Sequence, residues 1–510
     1  MNDCHPSQQS WTYKNEDQMK RYQLFIDGRY VDPVKGEWFD TVNPYTGEAW
    51  ARIPRGTKED VDIAVAAASR ALKEGAWATM TPTARGKLMR RLGDLVLENA
   101  QRLAETEVRD NGKLMSEMLG QLRSQPEWWW YFSGLADKIE GSVVPLDKSD
   151  AFAFTTHEPV GVVAALTAWN SPLLFVAMKC APALAAGCTV VLKPSEFASA
   201  STLEFMELTQ QAGFPEGVFN VVTGLGAETG AALAEHPDVA KISFTGSDAT
   251  GAKVYAAAAK SMKRVSLELG GKSPNIVFED CDVAQAIAGA VSGIFAATGQ
   301  TCVAGSRLLV QNSIKDRFVD QLVSMVASAR VGDPSAPETN IGPVATPDQY
   351  QKVLRYIDIA RSEGARCVFG GEPVWDLPGG QFVQPTIFVD VTNDMRIAQE
   401  EVFGPVLSVI GFDDEADAVR IANDVIYGLA AGVWTKDISR ALRMSKALKA
   451  GTVWINTYRG MSFNLPFGGM KQSGLGRENG IESVREFLET KSVWVSTATT
   501  APVNPFILRL

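Results

Sequence analysis

Histidine is scarce in this chain: 3 in 510 residues, His5, His157 and His236. None stands at metal-ligand spacing from another, so each reads as a loop or surface side chain and no metal site is expected. A Ser-His-Asp or Cys-His machine finds no partner spacing here. The 6 cysteines fall at irregular intervals with no C-x-x-C pair. That argues against a zinc site or a disulfide framework and for a reducing compartment. No run of about 18 apolar residues occurs, so no membrane-spanning helix is expected. The N-terminal segment is polar and has no apolar stretch of the kind a secretory leader needs. These absences point to the cytoplasm. A complete G-x-G-x-x-G is also missing: Gly224-Leu225-Gly226 is followed by Thr229 where the third glycine belongs. Basic residues are outnumbered, 49 Lys and Arg against 59 Asp and Glu, for a net charge of −10. That balance argues against nucleic acid and anionic membrane as main partners.

What is present is a long chain of ordinary globular composition, 45% hydrophobic and 21% charged. Its length exceeds what one core supports, so two or three domains are expected. From Lys58 apolar residues recur at helical spacing: Val61, Ala64, Val65 and Ala68. Further helices are expected over Thr83–Glu98 and Arg102–Lys113. The cluster Trp128-Trp129-Trp130-Tyr131 reads as core or interface packing. From Pro159 the rhythm becomes strand, helix, strand, helix. Strands are expected at Val160–Ala168, Thr189–Lys193, Phe219–Val222, Lys241–Phe244 and Val265–Leu269. Such a series predicts a doubly wound parallel sheet that binds ligands at the carboxyl ends of its strands. A second α/β block follows, with helices over Val283–Ala297 and Pro347–Ser362 and strands over Val406–Phe412, Ala430–Trp434 and Thr452–Ile455.

Two residues stand out chemically. Cys302 follows Gly299-Gln300-Thr301, a thiol on a short glycine-containing turn, and a thiolate is a strong nucleophile. Glu268 sits between Leu267 and Leu269-Gly270-Gly271-Lys272. A carboxyl in apolar surroundings has its pKa raised toward the range of a general base. Gly246 stands at a strand-to-helix turn, where a phosphate can meet backbone N–H groups, though a plain turn glycine reads equally well. Lys193 and Glu196 close a strand, where a carboxylate can accept from ribose hydroxyls.

The segments Pro159-Val160-Gly161-Val162, Trp169-Asn170-Ser171-Pro172, Lys193-Pro194-Ser195-Glu196, Phe244-Thr245-Gly246-Ser247, Glu268-Leu269-Gly270-Gly271-Lys272, Gly299-Gln300-Thr301-Cys302, Glu401-Val402-Phe403-Gly404-Pro405 and Pro466-Phe467-Gly468-Gly469 occur in this order. The series resembles the NAD(P)-dependent aldehyde dehydrogenase family over roughly Leu24 to Trp494. The resemblance implies that Cys302 attacks an aldehyde to give a thiohemiacetal, with Asn170 and the Cys302 N–H holding the oxyanion. Glu268 would activate water to hydrolyse the thioester left after hydride transfer. Trp169, Lys193, Glu196, Gly246, Ser247, Glu401 and Phe403 would bind the cofactor. Glu196 favours NAD, because a carboxylate there would repel a 2′-phosphate. Lys179 and Glu478 would stand behind the base.

The resemblance also implies an aldehyde pocket lined by Ser171, Leu174, Phe175, Met178, Thr301, Val303, Arg459, Phe463 and Phe467. Arg459 reads either as a partner for a carboxylate or as a structural surface arginine. The expected organisation has a mobile arm at 1–20, an NAD-binding domain at 21–139 and 159–270, and a catalytic domain at 271–470. A small β element for oligomerisation, at 140–158 and 486–500, implies a homodimer or homotetramer, and a tail follows at 501–510. A semialdehyde-specific or coenzyme-A-acylating relative of the same family is the alternative.

Overall fold

The computed structural model describes residues 19–500 and Phe506. The rest of the expected arm and tail, with Cys4 and His5, lies outside the described residues. Lys20, expected in the arm, instead pairs in parallel with Ala51 at the edge of a small three-stranded sheet.

The first large sheet has eight strands. Five are parallel and lie in the spatial order Arg264–Glu268, Val239–Thr245, Val162–Leu166, Thr189–Lys193, Phe219–Val221. Numbered along the chain that order is 5-4-1-2-3, the doubly wound arrangement expected from the βα rhythm. The direction of winding reverses between Val162–Leu166 and Val239–Thr245, so their carboxyl ends diverge and open a crevice. The strand Val162–Leu166 is wholly aliphatic and buried, and the helix Pro172–Ala186 is buried and mostly apolar, as a sheet covered on both faces requires. Gly187 ends that helix in the left-handed conformation, φ 93°.

The second large sheet has seven strands, six of them parallel, with Pro274–Val277 and Arg307–Gln311 near its middle. Its edge pair, Arg366–Phe369 on Thr386–Val389, is antiparallel and carried no clear sequence signal. The chain then crosses back: Gly474–Leu475 adds an antiparallel strand to the first sheet, with Glu268 opposite Gly474. Glu268 ends a strand of the first sheet, whereas Cys302 and Glu401 precede strands of the second. The carboxyl edge of one sheet therefore faces the amino edge of the other, and the chemistry-bearing residues meet at that seam.

A separate three-stranded sheet joins Ala151–Pro159 to Leu488–Ser496 in antiparallel register, from Pro159 opposite Leu488 to Ala151 opposite Ser496. Val143, Val144, Phe152 and Trp494 are exposed on it. His157 lies in this sheet beside Thr490.

One helix ends earlier than its periodicity predicts. Val283–Phe295 stops before Ala297, because Ala297 and Thr298 both take φ 55° and Gly299 takes φ 69°. Left-handed backbone costs a non-glycine residue about 1–2 kcal/mol. It is held here by Glu117, which accepts from the Ala297 N–H at 2.7 Å, and by Thr298 with its hydroxyl on Gly342 O at 3.2 Å. The turn that carries Cys302 thus starts from a pinned, strained corner.

Candidate active site

Glu268 is buried, and neither of its carboxyl oxygens has a hydrogen-bond partner. Burial raises its pKa well above the usual carboxylate range, and the nearby Glu478 carboxylate adds to the rise; Lys179 and Arg477 oppose it. Gly468 makes room for it, since a Cβ there would lie 2.7 Å from Glu268 Oε1. Behind Glu268, Lys179 Nζ donates to Glu478 Oε1 at 2.5 Å and to Ser243 Oγ at 3.4 Å. Both side chains of that ion pair are almost wholly buried. Two carboxyls share one pocket; one is paired with an ammonium and the other is not.

Cys302 is half-buried. Its thiol is pushed up to about 12, first by burial and then by the charges of Glu268 and Glu401. Gly270-Gly271 lets the chain after Glu268 come close to it: a Cβ on Gly271 would stand 2.6 Å from Cys302 O. Asn170 is buried, and its Nδ2 donates to Gln300 O at 3.1 Å, which holds the amide against the same turn. Cys302, Asn170 and Glu268, far apart in the chain, are thereby gathered at the seam between the sheets.

A cavity of about 130 Å³ opens there, lined by Trp169, Asn170, Phe175, Gly246, Ser247, Cys302, Glu401 and Phe403, among others. Phe175, expected on the substrate side, thus shares a cavity with the residues expected to bind the cofactor. Gly246 has no room for a side chain, since a Cβ would stand 2.4 Å from the Phe244 ring. Ser247 caps the helix Asp248–Ala259, with its Oγ accepting from Thr250 N at 3.3 Å. Bare backbone at a helix N-terminus suits an anionic phosphate. Glu401 accepts from Gly271 N at 3.0 Å, and burial pushes its carboxyl up to about 7. The Phe403 ring meets Trp169 edge-on at 5.4 Å, from a left-handed backbone with φ 59°. At the end of the neighbouring strand Lys193 pairs with Glu196 at 3.0 Å, and Glu196 also accepts from Gly226 N at 3.2 Å. A dinucleotide fits this set: a phosphate cradle between the Lys193–Glu196 ion pair at one end and the aromatic wall of Trp169 and Phe403 near Cys302 at the other.

The expected aldehyde pocket is partly reorganised. Met178, Val303 and Phe467 are buried apolar side chains. Leu174 is buried too, and Phe463 packs against Trp128 at 6.0 Å and Tyr131 at 5.2 Å. The Thr301 hydroxyl is buried without a partner. Ser171 donates to Asn170 O at 2.7 Å and accepts from Lys113 Nζ at 3.1 Å and Gln121 Nε2 at 3.3 Å. Arg459, read in sequence either as a carboxylate partner or as a structural arginine, is half-buried, with φ 64° and Nη1 donating to Ser292 O at 3.1 Å.

Sequence reasoning missed Gln349 and Lys352, which line the same cavity as Cys302, and Lys113 and Gln121, which donate to Ser171. The Gln349 amide ties down the Glu401–Phe403 segment through Val402 O at 2.8 Å and Phe403 O at 3.0 Å. A glutamine three residues into a capped helix carries no sequence signal for that. Among the described residues no group of His, Cys, Asp and Glu side chains is arranged to hold a metal ion, and no helix is long and apolar enough to cross a membrane.

Residues 30–493 match the sequence profile described as the aldehyde dehydrogenase family. The chain is 46% identical over 492 residues to (Z)-2-((N-methylformamido)methylene)-5-hydroxybutyrolactone dehydrogenase of Acinetobacter baylyi, covering 96% of this chain and 100% of that one. It is 46% identical over 480 residues to an aldehyde dehydrogenase of Enchytraeus buchholzi, covering 94% and 96%. The NAD+ complex of an aldehyde dehydrogenase from Bacillus cereus superposes with a TM-score of 0.92 at 44% identity, covering 94% of this chain and 97% of that one.

Proposed function

Because the chain belongs to the aldehyde dehydrogenase family and is an NAD-dependent aldehyde dehydrogenase, we propose that Cys302 is its nucleophile, Asn170 its oxyanion donor and Glu268 the base that releases a free acid. The observation that carries this reading is the buried, unpartnered carboxyl of Glu268 at the seam that also holds Cys302.

Cys302 Sγ, its proton given up to water, adds as the thiolate to the aldehyde carbonyl, and the new alkoxide is held by Asn170 Nδ2 and the Cys302 N–H. Preorganised donors of this kind lower the barrier by about 3 kcal/mol each. NAD, when bound, accepts the hydride. Gly246, Ser247 and the N-terminus of the helix Asp248–Ala259 hold its phosphates, Lys193 and Glu196 one ribose, and Glu401 the other. The thioester then left on Cys302 is electrophilic, and Glu268 takes a proton from the attacking water. A carboxyl with a raised pKa is the stronger base once ionised. Glu478 does not compete for this role, because its Oε1 is taken up by the Lys179 ammonium.

An added thiol acceptor is not required when the chain carries its own base. The protein therefore yields the carboxylic acid from an aldehyde and NAD at the same rate with and without coenzyme A. Acyl-coenzyme A as the main product would overturn the hydrolytic reading. The apolar face of the sheet built on Ala151–Pro159 and Leu488–Ser496 supports pairing with a second copy, in a homodimer or homotetramer. The free cysteines among the described residues support a cytoplasmic setting.

A further inference from the structure

Asn170 belongs to a loop, 167–171, between the strand Val162–Leu166 and the helix Pro172–Ala186. Its amide has two N–H donors. One goes to Gln300 O at 3.1 Å, which leaves the other for an alkoxide. A donor aimed at a charge that develops only in the transition state has to be held in place beforehand. A loop owes its position to the elements around it.

Here that element is the end of the helix Ala100–Asn111. Glu107, Asp110, Asn111 and Lys113 are all buried there, and buried polar groups are costly unless hydrogen-bonded. Glu107 accepts from Leu173 N at 2.8 Å. The Asn111 amide donates to Trp169 O at 3.4 Å, and its Oδ1 accepts from Lys113 N at 3.0 Å. Lys113 Nζ donates to Ser171 Oγ at 3.1 Å, and that hydroxyl donates to Asn170 O at 2.7 Å. The chain is thereby tied to the stretch 107–113 both before and after Asn170. Asp110 accepts from Ala200 N at 2.8 Å and fastens the same helix to the next βα unit.

The brace also reaches the turn that carries Cys302. Gly112, φ 72°, lies so close to Pro343 that a Cβ would stand 2.7 Å from the Pro343 ring. Gln300 Nε2 donates to Pro343 O at 3.3 Å. Glu117 accepts from Ala297 N at 2.7 Å, at the left-handed corner before Cys302. Residues 107–117 therefore bind the Asn170 loop on one side and the Cys302 turn on the other, and these belong to different sheets.

We propose that Asn111 and Lys113 are positioning residues that fix the Asn170 amide against the Cys302 turn. This rests on Asn170 being the oxyanion donor. Neither residue supplies a group to the reaction; each acts through the loop, Asn111 on the carbonyl before Asn170 and Lys113 through Ser171 on the carbonyl of Asn170 itself.

The test is a double-mutant cycle on kcat, read as NADH formation from a simple aliphatic aldehyde. Lys113→Met and Asn111→Leu are made in the wild type and in Asn170→Ala. Both keep most of the buried volume, and loss of a buried charge to an apolar side chain is commonly tolerated by the fold. In the wild type each lowers kcat by about tenfold to a hundredfold, the effect of a misplaced reacting group, while NAD affinity by calorimetry is unchanged. In Asn170→Ala the same substitutions lower kcat by less than about twofold, because the group they position is gone. Alkylation of Cys302 by iodoacetamide keeps its wild-type rate in Lys113→Met. Equal losses in both backgrounds, no loss in the wild type, or slowed alkylation would overturn the brace alone. Turnover of Asn170→Ala near that of the wild type would overturn the oxyanion donor and the brace with it.

Discussion

The two sides of Cys302 are built on opposite principles. On the side proposed for the cofactor most polar groups are already satisfied within the protein, Glu401 on Gly271 N, Glu196 on Lys193 and Gly226 N, Ser247 on Thr250 N, with the Thr245 hydroxyl the exception. On the acyl side they are left open: both oxygens of Glu268, the Thr301 hydroxyl and the Gln121 carbonyl have no partner. A binding surface gains from being finished beforehand, because a preorganised site loses little on association. A reacting surface must keep groups free for charges and protons that appear only during the reaction.

The sharpest way to break this contrast is Cys302→Ala. Dehydrogenase turnover falls by about 10⁴-fold or more, while NAD affinity measured by calorimetry stays near that of the wild type. Retained turnover would remove the thiol from its role, and lost NAD affinity would merge the two sides. Next in size is Glu268→Gln. It slows the steady state by about 10²–10⁴-fold but leaves a pre-steady-state burst of NADH, because thioester hydrolysis and not hydride transfer needs the base. The pH profile sharpens this. The Glu268 pKa is raised, so its proton is lost only as pH climbs above the ordinary carboxylate range, and deacylation increases with pH through that window. In Glu268→Gln that limb is absent. The smallest effect belongs to the finished side: Glu196→Gln narrows the preference for NAD over NADP by roughly fivefold, the size expected for one partly exposed charge. Equal preference before and after would remove Glu196 from cofactor choice.

Some elements were readable because local chemistry alone sets them. The helix Pro347–Ser362 was placed to the residue, since Thr346 caps it and Pro347 opens it. Trp128 and Trp129 turned out to be buried, with Trp129 stacked on Phe205 at 5.8 Å. Other elements were unreadable for equally physical reasons. Gly474–Leu475 is a two-residue strand whose partner lies some two hundred residues upstream, so no window of sequence contains the pair. Arg366–Phe369 is short and irregular in register. Lys113 looked like the end of an amphipathic helix, and a lysine in that position is ordinarily solvated.

The order of strands and helices, the glycines that let backbone approach backbone, and the candidates for thiol and base were legible in the chain, because propensity, periodicity and reactivity are properties of residues and their near neighbours. Which carboxyl is left unpaired and which oxygen each amide holds were decided only by the meeting of two sheets. Burial and charge are sums over everything nearby, and most of what lies near this site comes from distant parts of the chain.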